Sequence, residues 1–330
     1  MKAAKRRFLA TTLALGSVFA VGAGTAQAQS ASYPSRPITM VLPFPAGGIT
    51  DVLSRMIASE MSTSMGQPII VENKPGGGGQ IAATQVLRNP ADGYTVFVAA
   101  TEMFVINPTL FTNFSYSPMK DFAPVSPLAA SPLVLVVPAQ SPANTVEELV
   151  ALSKSKPDGV TFASQGVGSI GHLLGAQFAN QTQAKLAHVP YKGSAPGLQD
   201  VMGNHVDMMF DPVITTAPLI AGQKLKPLAI AAEKRSDALP NVKTLAELGI
   251  PEVDAGVWFG MVVKSGTPDA IVQRLNTEVA KALKAPEVVK RFNEQGMQAL
   301  QMDAAQFGEF LKAEEARWVP LIKSTGASVQ

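Results

Sequence analysis

Gly47 and Gly48 lie between a short apolar run, Ile38-Thr39-Met40-Val41-Leu42, and an amphipathic stretch with Val52, Leu53, Met56 and Ile57 on one face. Gly166, Gly168 and Gly171 lie the same way, between Val160-Thr161-Phe162-Ala163 and a second helical stretch. Strand, glycine turn, helix start is a geometry in which unpaired backbone N–H groups point at an anion. Two such cradles in one chain point to one small anionic ligand held from two sides. Thr50 is expected as the N-cap of the first helix, with Asp51 an acid in its first turn, where the helix dipole favours negative charge. Ser169 is expected as the N-cap of the second helix and as a hydroxyl donor. His172 falls in that helix's first turn, where the dipole disfavours a charged ring, so it is read as a neutral donor to ligand or as packing beside the loop.

Other chemistry fits less well. Gly166-Val167-Gly168-Ser169-Ile170-Gly171 matches the dinucleotide fingerprint, but the acid for the ribose, due about twenty residues on, is missing. Ser164 lacks the first glycine of a nucleophile elbow, His188 and His205 have no metal spacing, and the chain has no Cys. No catalytic residue, metal site or cofactor is expected. Gly76-Gly77-Gly78-Gly79 follows Lys74-Pro75 without the Lys-Ser/Thr ending of a phosphate loop, and reads either as a third cradle or as a turn at a sheet edge. Thr101 and Glu102 stand at the end of an apolar run, where parallel sheets bind ligands. An ionised Glu102 beside two anion cradles would repel a second carboxylate unless the ligand carries a cation or donor there; otherwise Glu102 faces solvent or a lysine. Tyr191 and Lys192 close another strand, with Lys192 either facing an anion or solvated. Asp211 follows a strand and either caps a turn or reaches the cleft.

Composition narrows the class. The chain has 330 residues, 46% of them apolar and 16% charged, enough for two α/β domains. Residues 1–28 carry Lys2, Lys5, Arg6 and Arg7, an apolar run, and the small-residue site Ala26-Gln27-Ala28, the layout of a cleavable signal peptide. Arg6-Arg7 stands one residue too close to Phe8-Leu9 for a twin-arginine signal, so general secretion is expected. Without that segment the chain keeps 23 basic and 25 acidic residues, which leaves no electrostatic footprint for nucleic acid. The lack of Cys also excludes disulfides and a lipid-modified N-terminal Cys. A monomer free in a bacterial periplasm is the expectation.

The elements that position these residues alternate. Strands are predicted over residues 67–73, 94–100, 133–137, 160–163, 206–210, 228–232 and 257–263, besides the first. Further helices are predicted over 80–88, 145–154, 197–202, 268–283 and 303–318, with residues 107–122 loop-like. Strand–helix alternation implies mostly parallel sheets flanked by helices. Residues 133–137 and 257–263 read as two segments crossing between domains, a natural hinge. The first domain is then discontinuous (29–134 plus 260–330) and the second spans 135–259.

Taken together, the ordered set Tyr33-Pro34-Ser35-Arg36-Pro37, Pro43-Phe44-Pro45-Ala46-Gly47-Gly48 with Thr50, Asp51 and Arg55, Val71-Glu72-Asn73-Lys74-Pro75-Gly76, Asp92-Gly93-Tyr94, Asn107-Pro108, Gly168-Ser169 with His172-Leu173, and Val189-Pro190-Tyr191-Lys192-Gly193 resembles the Bug family, the periplasmic receptors of tripartite tricarboxylate transporters. Arg235, Leu239-Pro240, Glu247-Leu248-Gly249, Trp258 and Gly266-Thr267-Pro268 extend the resemblance along the chain. It implies a two-domain Venus-flytrap receptor that binds a carboxylate in the interdomain cleft and delivers it to a membrane permease. A receptor docking on a signalling partner, and a secreted enzyme using the same cleft, are the alternatives. The resemblance puts Phe44, Ala46, Gly47, Gly48, Thr50 and Asp51 around one carboxylate, partly through water, and Ser164, Gln165, Gly166, Gly168 and Ser169 on the opposite wall. The departure is Thr101-Glu102-Met103-Phe104, where relatives often carry small hydroxyl residues. It points away from a plain dicarboxylate or citrate, toward an amino acid, a nitrogen-containing aromatic acid, or a ligand using Met103 and Phe104.

Overall fold

The computed structural model describes residues 33–251, 253, 255–326 and 328; the expected signal segment lies outside them. The apolar run predicted as the first strand forms β1 (Ile38–Leu42), buried along nearly its whole length. The chain turns into α1 (Ile49–Met65), which ends at Gly66 in the left-handed region, then forms β2 (Ile69–Asn73), α2 (Gln80–Arg88) and β3 (Thr95–Ala100). Both β2 and β3 run parallel to β1, so the ends of all three strands open on one edge. Beyond β3 the backbone makes a π turn, Glu102–Ile106, followed by the short helices α3 (Asn107–Leu110) and α4 (Pro118–Asp121) in the stretch expected to be loop.

Then comes β4 (Phe122–Pro138), 17 residues long where the sequence suggests only residues 133–137. The pattern restarts with α5 (Val146–Ser155), β5 (Val160–Ser164), α6 (Ile170–Thr182), β6 (Leu186–Pro190), α7 (Ser194–Met202), β7 (Met208–Pro212), α8 (Val213–Ala221) and β8 (Leu225–Ala231). The chain finishes with β9 (Gly256–Lys264), α9 (Asp269–Ala282), α10 (Pro286–Glu294), β10 (Gln298–Ala299) and α11 (Ala304–Ser324).

The strands follow the order β2-β1-β3-β9-β4-β7-β5-β6, with β8 and β10 also paired to β4. Residues 122–132 of β4 pair antiparallel with β9, whereas residues 133–138 pair antiparallel with β7 and β8. One strand therefore belongs to both halves. Parallel pairing holds for β2-β1-β3 and β7-β5-β6. The strands that carry the chain between the halves run against their neighbours, so each sheet is mixed. Pro124 and Pro127, which read as strand breakers, sit where the β4–β9 register shifts; a proline's missing N–H is tolerated at such irregularities. The chain returns at Ala255, whose carbonyl accepts from Leu133 N at 3.0 Å and whose amide donates to Ala231 O at 2.9 Å.

Side chains of β4 alternate between cores. Leu133, Leu135 and Val137 join the large cluster, while Val134 and Val136 face a second one with Leu198, Val201, Met209 and Leu225. Such alternation follows from the two-residue period of a strand buried on both faces. The C-terminal helix α11 seals the first sheet with Phe307, Leu311, Trp318 and Ile322, all buried. Its Glu314 accepts from Trp258 Nε1 at 2.8 Å and Trp318 Nε1 at 3.1 Å, fastening the helix to β9.

Candidate functional site

The first cradle forms where β1 gives way to α1. The helix starts two residues earlier than expected, so Gly48 occupies the N-cap and Thr50 lies inside the first turn, buried. The expected Thr50 cap is thus replaced: glycine offers no side-chain acceptor, and the first-turn amides of α1 remain without a side-chain cap. Ala46, Gly47 and Gly48 are exposed and Phe44 is half-buried.

Asp51 is buried and turned back on its own loop. Its carboxylate accepts from Gly47 N at 2.9 Å, Asn73 Nδ2 at 3.0 Å and Arg55 Nε at 3.1 Å. The hydrogen bond from Arg55 is the main reason its pKa falls to about 2, against the opposing pull of burial. Asn73 also donates to Phe44 O at 3.0 Å, so the end of β2 braces the cradle. Asp51 shapes the loop while its oxygens are occupied by protein donors. The 76–79 loop is packed: Asn107 Nδ2 donates to Gly78 O at 2.9 Å, and Met103 lies so close to Gly79 that a Cβ there would stand 2.6 Å from Met103 Cγ.

Thr101 is fully buried, its hydroxyl exchanging hydrogen bonds with the backbone of Trp258. Phe104 stacks on Trp258 with ring centroids 5.4 Å apart. Both are buried. Glu102, between them in sequence, is half-buried and has no ion pair among the described residues; burial raises its pKa, countered only by its own backbone amide.

The second cradle joins β5 to α6. Ser169 caps α6 as expected, accepting from His172 N at 3.3 Å. Gly168 N donates to His172 Nδ1 at 3.0 Å. With Nδ1 accepting, neutral His172 carries its proton on Nε2. Burial lowers the His172 pKa, so the neutral state expected from the helix dipole rests chiefly on desolvation. His172 stacks on His188 at 3.9 Å between centroids, and His188 Nε2 meets Ser164 Oγ at 2.7 Å. Burial and the neighbouring His172 lower the His188 pKa to about 4.

Gly168 and Gly171 have separate reasons to be glycine. At Gly168 φ is +77°, and a Cβ would stand 2.5 Å from Leu110 Cδ1. A Cβ at Gly171 would stand 2.3 Å from Gln165 Oε1 and 2.7 Å from Phe210 O, so its absence lets α6 press against the loop and β7. The fingerprint spacing reflects this close packing.

Asp211 is fully buried, with no access to the edge. It accepts from Gln165 Nε2 and Ser194 Oγ, each at 2.6 Å, and from Thr215 Oγ1. Burial pushes its pKa up to about 6, opposed by those three bonds. Asp211 therefore fastens the second cradle, the start of α7 and the start of α8 to one another. Tyr191 spends its hydroxyl on Asp200 Oδ2 at 2.5 Å; burial, then Asp200, raises its pKa to about 12. Its amide donates to Ser164 O at 3.0 Å, and Lys192 is exposed.

The structure thus gathers Gly47, Gly48 and Thr50 at the first edge, and Ser164, Gln165, Gly166, Gly168, Ser169 and His172 at the second. Gly168 lies against Leu110 of α3, which brings the second cradle to the π-turn side of the first sheet. Asn73, His188, Ser194 and Thr215 escaped sequence reasoning. Asn73 carried one usable signal, an amide at a strand end beside a glycine loop; the others depend on long-range contacts. A cavity of about 850 Å³ lined by Phe104, Phe122 and Phe310 lies away from these loops. Among the described residues no cluster is suited to a metal ion, and no helix is long and apolar enough to cross a membrane.

Comparison with known proteins gives the same picture. The chain is 35% identical to protein BugT of Bordetella pertussis over 320 residues, 96% of this chain and 98% of that one. Among solved structures it resembles an R. palustris protein with adipate, with a TM-score of 0.78 and 33% identity over 90% of this chain and 99% of the other. It also resembles MatC from Rhodopseudomonas palustris with bound malate, with a TM-score of 0.74 and 32% identity over 88% of this chain and 100% of the other. The periplasmic binding protein BugD matches with a TM-score of 0.74 and 33% identity over 90% of this chain and all of that one. The fold of this chain is thus that of a periplasmic binding protein. The family profile described as tripartite tricarboxylate transporter family receptor matches residues 53–327. The chain belongs to the tripartite tricarboxylate transporter receptor family, the Bug receptors.

Proposed function

We propose that this receptor captures a small organic carboxylate between its two domains and hands it to the membrane permease of a tripartite transporter. The observation that carries the reading is the pair of glycine loops leading into α1 and α6, the first helix having no side-chain cap. A carboxylate bridging the two helix starts would satisfy amides that otherwise bond water, and closure would be driven by that difference. Relatives solved with adipate and malate support the ligand class. In this reading Phe44, Ala46, Gly47, Gly48 and Thr50 hold one end of the acid, with Asp51 shaping their loop. Ser164, Gln165, Gly166, Gly168, Ser169 and His172 close over the other. Tyr191 and Asp211 act by fixing that second wall, and no residue performs covalent chemistry. The domains are residues 29–134 with 260–330, and 135–259. The protein works as a monomer in the periplasm after removal of residues 1–28.

The test is a thermal-shift panel on residues 29–330 with mono-, di- and tricarboxylates, amino acids, aromatic acids, the matching neutral amides, and NAD. A ligand at about 100 times its Kd adds roughly 2.7 kcal/mol of stability. A shift confined to one class of acid and absent for its amides is expected. No shift with any acid, or a shift with NAD alone, would overturn the reading.

A further inference from the structure

Glu102 stands at the exit of β3, on the edge where the loops after β1 and β2 also emerge. Its neighbours in the π turn are each accounted for. Thr101 is locked to the Trp258 backbone, Met103 leans on Gly79 while its carbonyl accepts from Tyr116 Oη at 2.9 Å, and Phe104 enters the aromatic core. Among the described residues none other engages Glu102: its side chain has no ion pair and meets only its own backbone amide, and burial disfavours its charge. Contrast the other half-buried or buried acids of the described chain. Asp51 has Arg55, Asp207 has Lys156 and Thr161, Glu278 has Lys281, and Asp211 has three donors. A partly desolvated carboxylate without a partner costs stability that a matching donor would restore.

Resting on the carboxylate-receptor reading above, we infer that Glu102 selects a ligand bearing a cationic or N–H donor group beside its carboxylate. An amino acid, or an aromatic acid whose nitrogen carries an N–H, would offer its carboxylate to the cradles and its N–H to Glu102. Such an arrangement uses the two signs of the site at once: amides at the helix starts for the anion, one carboxylate for the donor. A plain di-acid would place like charge next to Glu102, or require that side chain to be protonated.

Calorimetry on residues 29–330 with matched pairs tests this: glutamate against glutarate, aspartate against succinate, 3-aminobenzoate against benzoate. In at least one pair the nitrogen-bearing acid is expected to bind about tenfold tighter or more, the range of a charge-assisted hydrogen bond. Glu102→Gln should shrink that ratio, chiefly by weakening the nitrogen-bearing member, with the melting temperature of the unliganded protein unchanged or raised. Glu102→Asp, which keeps the charge, should retain the direction of the preference. Tight binding of plain acids with no such preference, or a ratio untouched by Glu102→Gln, would overturn the inference and spare the receptor reading. No binding by any acid would overturn both.

Discussion

Asp211 carries the most unusual electrostatic burden among the residues around the second cradle. It is fully buried, has no cation, and is held by Gln165, Ser194 and Thr215. Its pKa in the fold is about 6, against roughly 3.9 for an unfolded aspartate. Between those values the folded chain binds more protons than the unfolded one, so stability falls as pH rises from about 4 through about 6. Asp211→Asn removes that titration. Urea unfolding at half-unit steps from pH 4 to 7 should show a flatter profile for the variant, whereas parallel profiles would mean that Asp211 ionises normally. None of this network is legible in sequence, because its members come from the loop after β5 and from α7, β7 and α8, and meet only through the sheet. The pattern Gly-Gly-x-Thr-Asp, in contrast, marked its loop from a local stretch. Even there Asp51 proved to face Gly47, Arg55 and Asn73, since a buried carboxylate takes the nearest donors.

At the scale of elements, β1 with α1 and β5 with α6 were readable because strand, glycine turn and amphipathic period sit side by side in sequence. The short helices α3 and α4, α8, α10 and the π turn were not. The nine residues of α8, Val-Ile-Thr-Thr-Ala-Pro-Leu-Ile-Ala, are apolar or β-branched nearly throughout and include Pro218, so no helical period stands out. The π turn at Glu102–Ile106 is likewise a tertiary outcome, fixed by Thr101 on Trp258 and Phe104 in the core. The start of α6 offers a test with an opposite sign for propensity and packing. Replacing a mid-helix glycine by alanine ordinarily stabilises by about 0.5–1 kcal/mol. At Gly171 the new Cβ would stand 2.7 Å from the Phe210 carbonyl, a backbone atom, and 2.3 Å from Gln165 Oε1. Gly171→Ala should therefore destabilise, by about 1–3 kcal/mol as for other overpacked sites, and weaken ligand response by displacing Gln165. Chemical denaturation gives the sign directly. A stabilised Gly171→Ala protein would mean that α6 does not press on β7 in solution.

The molecule as a whole has two sheets joined through β4 and through the return at Ala255, and loops from both halves meet at Gly168 and Leu110. Few chain crossings between the halves are what a hinged receptor needs. Under the closure proposed above, the fit of Gly168 against Leu110 sets part of the free energy of the closed state. Adding a methyl there collides with Leu110 and also forces a side chain into a left-handed conformation at φ +77°, a strain on the order of 1 kcal/mol. The two costs separate by a double-mutant cycle. Gly168→Ala should lower ligand affinity about tenfold or more, and adding Leu110→Ala should recover the collision part while leaving the backbone strain. Affinity is read by calorimetry and closure by small-angle scattering with and without ligand. If Leu110→Ala recovers nothing in the Gly168→Ala background, the two loops do not meet in the liganded state, and closure must be held by the ligand's own bonds to the two helix starts.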